Sequence, residues 1–506
     1  MREQTGLLVE LGDTLPDTTP ASETLAVGVF ADGERLPAPG VLGGDLRALC
    51  ERVTGEGEFK GEAETTLLIH APAGGGAGGA RRVLLLGLGP RADFDAASMR
   101  RAAAVVVRAA RPARARALHL AVPAEGGGAE AGRDVRALAE GAHLGLYENG
   151  FYQKKDEDEA PRLERLTLAG LGAAGEFAAE LERARVVAES ANWARTLADE
   201  PGLSLPPREF ARRAAEMAGE VGLTVESLGA EEVRARGMGG LAGVGQGSEE
   251  EPALIVLRHE PEGAKPDEEL WAFVGKGITF DTGGISIKHG LDMYGMKSDM
   301  AGGAAALAAL RAAALLKSER RLVAVVPAAE NMPSGKSIKP GDVVRTFAGM
   351  TVECVDTDAE GRLVLVDGIA YAKHLGAARV VDLATLTGSI IVALGTHRAG
   401  LFSNDDDWAA RVLAASERAG EPAWRMPASD DYRKKIESMI ADFKNYGGKP
   451  DATAAALLLS KFAGDTPWVH LDIAGTAWYD APSAYAPKGA SGAGVRTLVE
   501  LVLGAD

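Results

Sequence analysis

The stretch Trp271-Ala272-Phe273-Val274-Gly275-Lys276-Gly277-Ile278-Thr279-Phe280-Asp281-Thr282-Gly283-Gly284 decides how this chain folds. Its opening apolar run reads as a buried strand. The run stops at a glycine, and polar groups follow at once. They therefore lie just beyond the strand's carboxyl end, the rim at which open α/β sheets bind ligands.

Working outward, further strand patterns cover residues 253–257, 322–327 and 380–386, and a helical pattern covers 301–316. Strands alternating with helices predict a mostly parallel, covered sheet. Nearer the N-terminus, residues 25–30, 66–70 and 83–88 read as strands and 96–110 as a helix. Between these regions Phe177, Leu181, Ala184, Val187, Ala191 and Ala194 recur at helical spacing, and Pro201-Gly202 ends that pattern. The expected architecture is α/β throughout. A smaller N-terminal α/β domain (1–175) is joined by a connecting helix (176–200) to a larger C-terminal α/β domain (201–506). The central sheet of the latter is mixed and mostly parallel. The glycine run at 74–79 reads as a turn, because no Lys-Ser/Thr follows to make a phosphate cradle. Gly87-Leu88-Gly89 lacks the third glycine of a dinucleotide fingerprint. A charged stretch at 154–159 precedes the connecting helix.

Bulk composition narrows the function classes. With 506 residues the chain is long enough for two or three domains. Its net charge of -17 repels a phosphate backbone, so nucleic acid is disfavoured as the main partner. Two cysteines, Cys50 and Cys354, leave no disulfide framework and no thiolate zinc cluster, which fits a reducing compartment. The apolar run near the N-terminus is broken by Glu10 and Asp13, unlike a signal peptide. No uncharged apolar stretch reaches the roughly 18 residues of a membrane span. A cytoplasmic protein is expected.

Two clusters carry the chemistry. One runs from Lys276 through Asp281 and Lys288 to Met296-Lys297-Ser298-Asp299. The other is Asp356-Thr357-Asp358-Ala359-Glu360-Gly361-Arg362. If that second segment is extended, Asp358, Glu360 and Arg362 project to one side. Four converging carboxylates could not all stay ionised at neutral pH without a cation. Oxygen-rich donors suit Mg, Mn or Zn. Two metals about 3.5–4 Å apart form a recognised hydrolytic arrangement. Taken singly, each acid in a glycine-rich loop is more often a cap or a turn former.

These segments resemble the leucyl aminopeptidase family, the dinuclear metallopeptidases also called cytosol aminopeptidases. VGKGITFDTGGISIK, MKSDMAGGAA, ENMPSGKSIKPGDVV, DTDAEGRLVL, DLATLTG and HLDIAGTAW follow the family's blocks in order, most densely from residue 271 onward. VLLLGLG and EGAHLGLYENGFYQKK match more weakly. The resemblance implies an aminopeptidase that releases leucine and other mostly apolar N-terminal residues through a metal-bridged water. It places Lys276, Asp281, Asp299, Asp358 and Glu360 on the metal ligands, with Asp281 and Glu360 bridging two divalent ions. Mn or Zn are favoured, with Mg or Co as alternatives. Lys276 as a ligand must be neutral, since an ammonium has no lone pair to give. Lys288 falls on the side chain that polarises the scissile carbonyl. Arg362 falls on the arginine that holds a bicarbonate, and bicarbonate rather than guanidinium shuttles the proton. Taken alone, Arg362 reads equally as a structural salt bridge. Met296, Thr385 and Ala477 fall around the pocket for the first side chain, and the backbone near Leu386 on the substrate amide. Peptides with a free N-terminus are the implied partners, and a homo-hexamer the implied assembly.

The chain departs from the family at His289, which stands where proline is usual and reads as an exposed loop residue, and at Asp356, which stands where asparagine is usual. Residues 195–207 also depart, read as divergence away from the active site. His470 reads as a satisfied core histidine. Two other readings compete. A regulatory or DNA-binding protein on the same fold is opposed by the complete ligand set and the negative charge. A different two-metal hydrolase would usually recruit histidines, and the clusters contain none except His289.

Overall fold

The computed structural model describes residues 6–15, 23–32, 36–38, 40–70, 82–123, 129–154, 162–173, 175–265 and 267–504. The glycine run 74–79 and all but the first residue of the charged stretch 154–159 lie outside the described residues. The chain forms two compact units. One comprises residues 1–189 and 482–487, the other residues 190–481 and 488–506.

In the first unit β1 (Leu8–Gly12), β2 (Glu23–Phe30), α1 (Gly44–Gly55), β3 (Thr66–His70), β4 (Arg82–Gly89), α2 (Ala96–Ala110), β5 (Ala117–Ala121), α3 (Ala129–Gly145) and β6 (Arg165–Ala169) follow one another. They build a six-stranded sheet in the order β1-β6-β5-β2-β4-β3. Every strand pair is parallel except β3 with β4. The continuous apolar runs of β2 and β4 are buried because helices cover the sheet. Gly89 ends β4 and Pro90 follows, so the Gly-Leu-Gly there closes a strand and opens no phosphate loop.

The expected connecting helix is α4 (Ala178–Asp199), and the division between the units falls within it. The second unit continues with α5 (Pro207–Val221), β7 (Thr224–Leu228), α6 (Ala230–Ala235), α7 (Gly239–Gly245), β8 (Ala253–His259), β9 (Leu270–Gly275), β10 (Gly277–Asp281), α8 (Ala301–Leu315), β11 (Arg321–Asn331), β12 (Val343–Arg345) and β13 (Thr351–Glu353). Then come α9 (Glu360–His374), β14 (Ala377–Ala384), α10 (Gly388–Leu394), β15 (Ala399–Ser403), α11 (Asp406–Ala419), β16 (Ala423–Arg425), β17 (Phe443–Lys444), α12 (Asp451–Ala463), β18 (Trp468–Asp472), β19 (Trp478–Tyr479), β20 (Gly489–Ala490) and α13 (Val495–Leu503). The main sheet runs β16-β15-β18-β14-β9-β11-β8-β7, with β10 paired to β11. Its centre, β18-β14-β9-β11, is parallel, and antiparallel pairs lie towards both edges. The mixed, mostly parallel sheet is thus present as expected.

All six residues of β9 are buried, since β14 and β11 flank it and α8 and α9 cover it. Small residues set how closely α8 approaches. A Cβ on Gly302 would come 2.3 Å from the Leu383 carbonyl oxygen, and one on Gly275 would come 2.4 Å from that of Gly302. The opening of α8 therefore seats directly on the ends of β9 and β14. The crossover from β9 to β11 passes on one side of β9 and the route from β11 to β14 returns to the other. The strand ends around β9 consequently form a crevice.

Asp367, inside α9, ties this core together. It is fully buried and accepts the backbone N–H of Leu241 at 2.9 Å and of Phe347 at 2.8 Å. Burial pushes its carboxyl up to about 7, against the backbone donors that lower it. A raised carboxyl pKa favours the folded state when protonated. That contribution is full below an unfolded value of about 4 and is lost as pH rises through the folded value. Asp367→Asn removes an acceptor from two buried donors and cannot ionise. In urea unfolding it is expected to be less stable than the parent by about 1–3 kcal/mol at pH 5, a deficit that narrows towards pH 8. A deficit that widens with pH would contradict this account.

Candidate active site

Lys276 is the first residue past β9, and its backbone N–H donates to the Leu383 carbonyl at 3.0 Å. Asp281 ends β10. Asp299 closes the 3-10 turn Tyr294–Ser298 that leads into α8. Asp358 lies in the loop between β13 and α9, and Glu360 is the first residue of α9. The extended segment considered for residues 356–362 is therefore not formed. The chain turns and becomes helical at Glu360, so Glu360 and Arg362, two positions apart on a helix, face different surroundings.

The side chains converge nonetheless. Carboxylate oxygens of Asp281, Asp358 and Glu360 lie within 4.8 Å of one another. Lys276 Nζ stands 2.7 Å from Asp299 Oδ2 and 2.7 Å from Glu360 Oε1, and donates to the Thr385 carbonyl at 3.2 Å. Lys288 Nζ pairs with Asp281 Oδ2 at 2.9 Å and with Asp358 Oδ1. Burial disfavours charge on both lysines, yet the carboxylates around them raise both above the ordinary lysine value. Burial pushes Glu360 up to about 8, reinforced by Asp281 and Asp299 and opposed by Lys276. Burial pushes Asp299 up to about 6, with Lys276 pulling the other way and Asp281 adding to the rise. Asp358 is raised by burial, against the hydrogen bond and charge of Lys288. The cluster is thus short of positive charge even with two ammonium groups in it.

That shortage tests whether divalent metal fits. Glu360 is buried, and among the described residues its Oε2 has no hydrogen-bond partner. A buried carboxylate oxygen left unpaired is costly. Apart from the Lys276 amine, the donors around it are oxygens, which suit Mg, Mn or Zn. The residues present fit such ions.

Three side chains not singled out from sequence fix the loops around the cluster. Asn331, at the end of β11, donates from Nδ2 to Asp281 Oδ1 at 2.9 Å and to the Thr357 carbonyl at 3.0 Å. Asn445 accepts the N–H of Val355 at 2.7 Å and donates to the carbonyls of Asp356 at 2.6 Å and Ala359 at 3.2 Å, stapling the loop that carries Asp358. Asp472, ending β18, accepts from Thr387 Oγ1 at 2.6 Å and from the Leu386 N–H at 3.2 Å. Asn331 and Asp472 sit inside quoted sequence blocks. Asn445 lies in FKNYGG, where nothing in the local pattern marks it.

Arg362 is 2% exposed. Its Nη1 and Nη2 fork onto Asp451 at 2.9 and 3.2 Å, and Nη1 also donates to the Asn445 carbonyl at 2.7 Å. The structural salt bridge is therefore present, while Nε has no partner among the described residues. Thr385 donates to Asp299 Oδ1 at 2.5 Å, and a Cβ on Gly361 would lie 3.0 Å from Leu386 Cδ1, so both Thr385 and Leu386 border the cluster. Met296 is half-buried in the turn leading to Asp299, and Ala477 is buried. His289 is exposed and outside the carboxylate group. Asp356 accepts the Asp358 N–H at 3.0 Å. His470 is only half satisfied among the described residues, because Nδ1 meets Asp382 Oδ1 at 2.6 Å and Nε2 has no partner there. The segment 195–207 is not remote from the active site. Lys297, two residues before Asp299, donates to the Asp199 carbonyl at 2.6 Å.

A family model described as the catalytic domain of the cytosol aminopeptidase family matches residues 192–499, and its N-terminal counterpart matches residues 26–156. The chain belongs to the cytosol aminopeptidase family. It is 45% identical over 491 residues to a probable cytosol aminopeptidase of Acidobacterium capsulatum, covering 96% of this chain and 94% of that one. A probable cytosol aminopeptidase of Koribacter versatilis is 43% identical, covering 88% and 89%. Among solved structures, the bottromycin maturation enzyme BotP in complex with Mn superimposes with a TM-score of 0.83 at 36% identity, covering 96% of this chain and 99% of that one. A mutant tomato leucine aminopeptidase gives 0.87 at 31% identity, covering 99% and 97%. As a member of this family the chain is a leucyl aminopeptidase-type hydrolase, metal-dependent and acting on peptides. No helix among the described residues is long and apolar enough to cross a membrane.

Within this family member the Lys276 amine depends on a missing side chain. A Cβ on Gly361 would lie 2.8 Å from both Cε and Nζ of Lys276. Gly361→Ala is expected to displace that amine, lowering kcat/KM about 100-fold while the thermal midpoint stays near that of the parent. Full activity in this variant would mean that the position of Lys276 is unimportant.

Proposed function

We propose that the cluster built on Asp281, Asp358 and Glu360 is the two-metal centre of an aminopeptidase that removes leucine and other mostly apolar residues from the free N-terminus of peptides. The observation that carries this reading is the convergence of three carboxylates within 4.8 Å around a buried oxygen of Glu360 that lacks a partner among the described residues. Lys276, Asp281, Asp299, Asp358 and Glu360 would hold the ions. Mn or Zn are favoured over Mg or Co, and the Mn complex of BotP supports Mn. When bound, two such ions would supply the Lewis acidity that readies a shared water for attack on the amide.

The chain's own residues do the rest. Lys288 is an ammonium held by Asp281 and Asp358 at the edge of the cluster, placed to hydrogen-bond the oxygen on which negative charge develops. Arg362 is an anchored cation with Nε uncommitted, suited to holding a small anion such as bicarbonate, which would accept the proton. Thr385 and Leu386 border the ions' position, and with Met296 and Ala477 they would receive the first side chain and amide of the substrate. Catalysis resides in residues 201–506, with residues 1–175 serving assembly into a homo-hexamer. The net charge of -17 and the reduced cysteines favour a cytoplasmic enzyme without nucleic acid as its main partner.

Turnover of a panel of aminoacyl anilides tests this reading. Chelation is expected to abolish it and re-addition of Mn or Zn to restore it. N-acetylated substrates, which lack the free amine, are expected to be inert. Asp281→Asn and Glu360→Gln should each lower kcat/KM at least about 100-fold. Intact turnover in either variant, or cleavage of the acetylated substrates at equal rate, would refute the site.

A further inference from the structure

The first unit holds a crevice of its own. From β2 the chain leaves towards β3 and β4 on one side of the sheet, whereas from β5 it leaves through α3 towards β6 on the other. Because β2 and β5 are neighbours, their carboxyl ends mark a topological switch point, where open α/β sheets bind ligands. A cavity of about 300 Å³ lies there, bordered by Phe30 at the end of β2 and Pro123 just past β5. Its size is at the small end of ligand pockets, which fits a single compact molecule and excludes a dinucleotide.

One wall is apolar. The rings of Phe30 and Phe94 meet edge to face at 5.1 Å, and Met99 lines the same cavity. The rest is charged in both senses. Arg91 lies over the Phe30 ring at 5.0 Å, and Arg133 lines the cavity from near the start of α3. The α2 end at this edge is already capped by Asp95, whose carboxylate accepts the Ser98 N–H. Against the two arginines stand Glu130 and Asp134, with Asp95 committed to its capping bond. Glu130, Arg133 and Asp134 make no hydrogen bond or ion pair among the described residues. Burial, then Glu130, raises the Asp134 carboxyl, while the Arg133 charge pulls it down. A phosphate would have to face these acids. A divalent ion would need their oxygens to converge, and among the described residues the one such group is in the other unit.

We propose that this crevice binds a free α-amino acid with an apolar side chain. The carboxylate lies towards Arg91 and Arg133, the ammonium towards Glu130 and Asp134, and the side chain on Phe30 and Phe94. Under the aminopeptidase reading such a ligand is a product of the enzyme, but its binding requires no turnover.

Equilibrium dialysis of the full-length, metal-loaded protein against radiolabelled L-phenylalanine tests the site. Two saturable components per chain are expected. Glu360→Gln should weaken one. The double variant Arg133→Ala/Asp134→Asn, made at accessible positions, should weaken the other at least about tenfold, as loss of charge-assisted hydrogen bonds implies, with anilide hydrolysis unchanged. A single component lost in Glu360→Gln, or two components untouched by the double variant, overturns the proposal. So does displacement of the second component by adenosine monophosphate but not by unlabelled leucine. If no substrate is hydrolysed yet the component dependent on Arg133 and Asp134 persists, the peptidase reading falls and this site stands.

Discussion

Charge neutralisation at the carboxyl end of β9 is the constraint on which this protein turns. Four carboxyl groups are brought to one place in a sheet that is otherwise apolar, and water cannot solvate them all. Lys276 and Lys288 answer part of that charge from within, each bridging two acids. The remainder shows in Glu360, whose carboxyl is pushed up to about 8 by burial and its acidic neighbours. A site under this stress selects for cations, and the surrounding fold reads as the means of keeping it stressed. α8 is pressed onto the strand ends by its glycines, and Gly361 leaves room for the Lys276 amine.

The two lysines differ in what cations would do to them. Lys276 is buried between Asp299 and Glu360, so ions drawn to those carboxylates must compete with its proton. Lys288 meets Asp281 and Asp358 from a less buried position, and it can keep its charge while turning towards a bound molecule. The difference in burial matches the division of roles proposed above, with Lys276 among the groups that would hold the ions and Lys288 facing the substrate.

Much of this was legible beforehand. The apolar run before Gly275 gave β9 to within a residue, because a strand buried on both faces leaves an unbroken hydrophobic signature. The helices expected at 96–110 and 301–316 form at Ala96–Ala110 and Ala301–Leu315. The local conformation of residues 356–362 was not, since an acidic, glycine-containing stretch fits a strand, a turn or a helix start, and packing against β9 decides among them. Nor could sequence position reveal the roles of Asn331, Asn445 and Asp472. Their work is to satisfy loop amides and carbonyls that become neighbours only after the sheet has formed. The segment 195–207 misled in a similar way. Its divergent sequence suggested distance, whereas the Asp199 carbonyl receives Lys297 beside the Asp299 turn.

The Asn445 staple carries a consequence for how the enzyme comes into being. The loop bearing Asp358 is fastened by a residue that follows it by almost ninety positions, and the Leu386 turn by Asp472, equally far downstream. A chain emerging from the ribosome therefore displays all the acids of the cluster well before these two fastenings can form. The cluster acquires its shape only when the closing helices and strands of the same polypeptide arrive. An incomplete or prematurely terminated copy carries the same carboxylates, and the lysines between them, but lacks the two late fastenings that set the loops at Asp358 and Leu386.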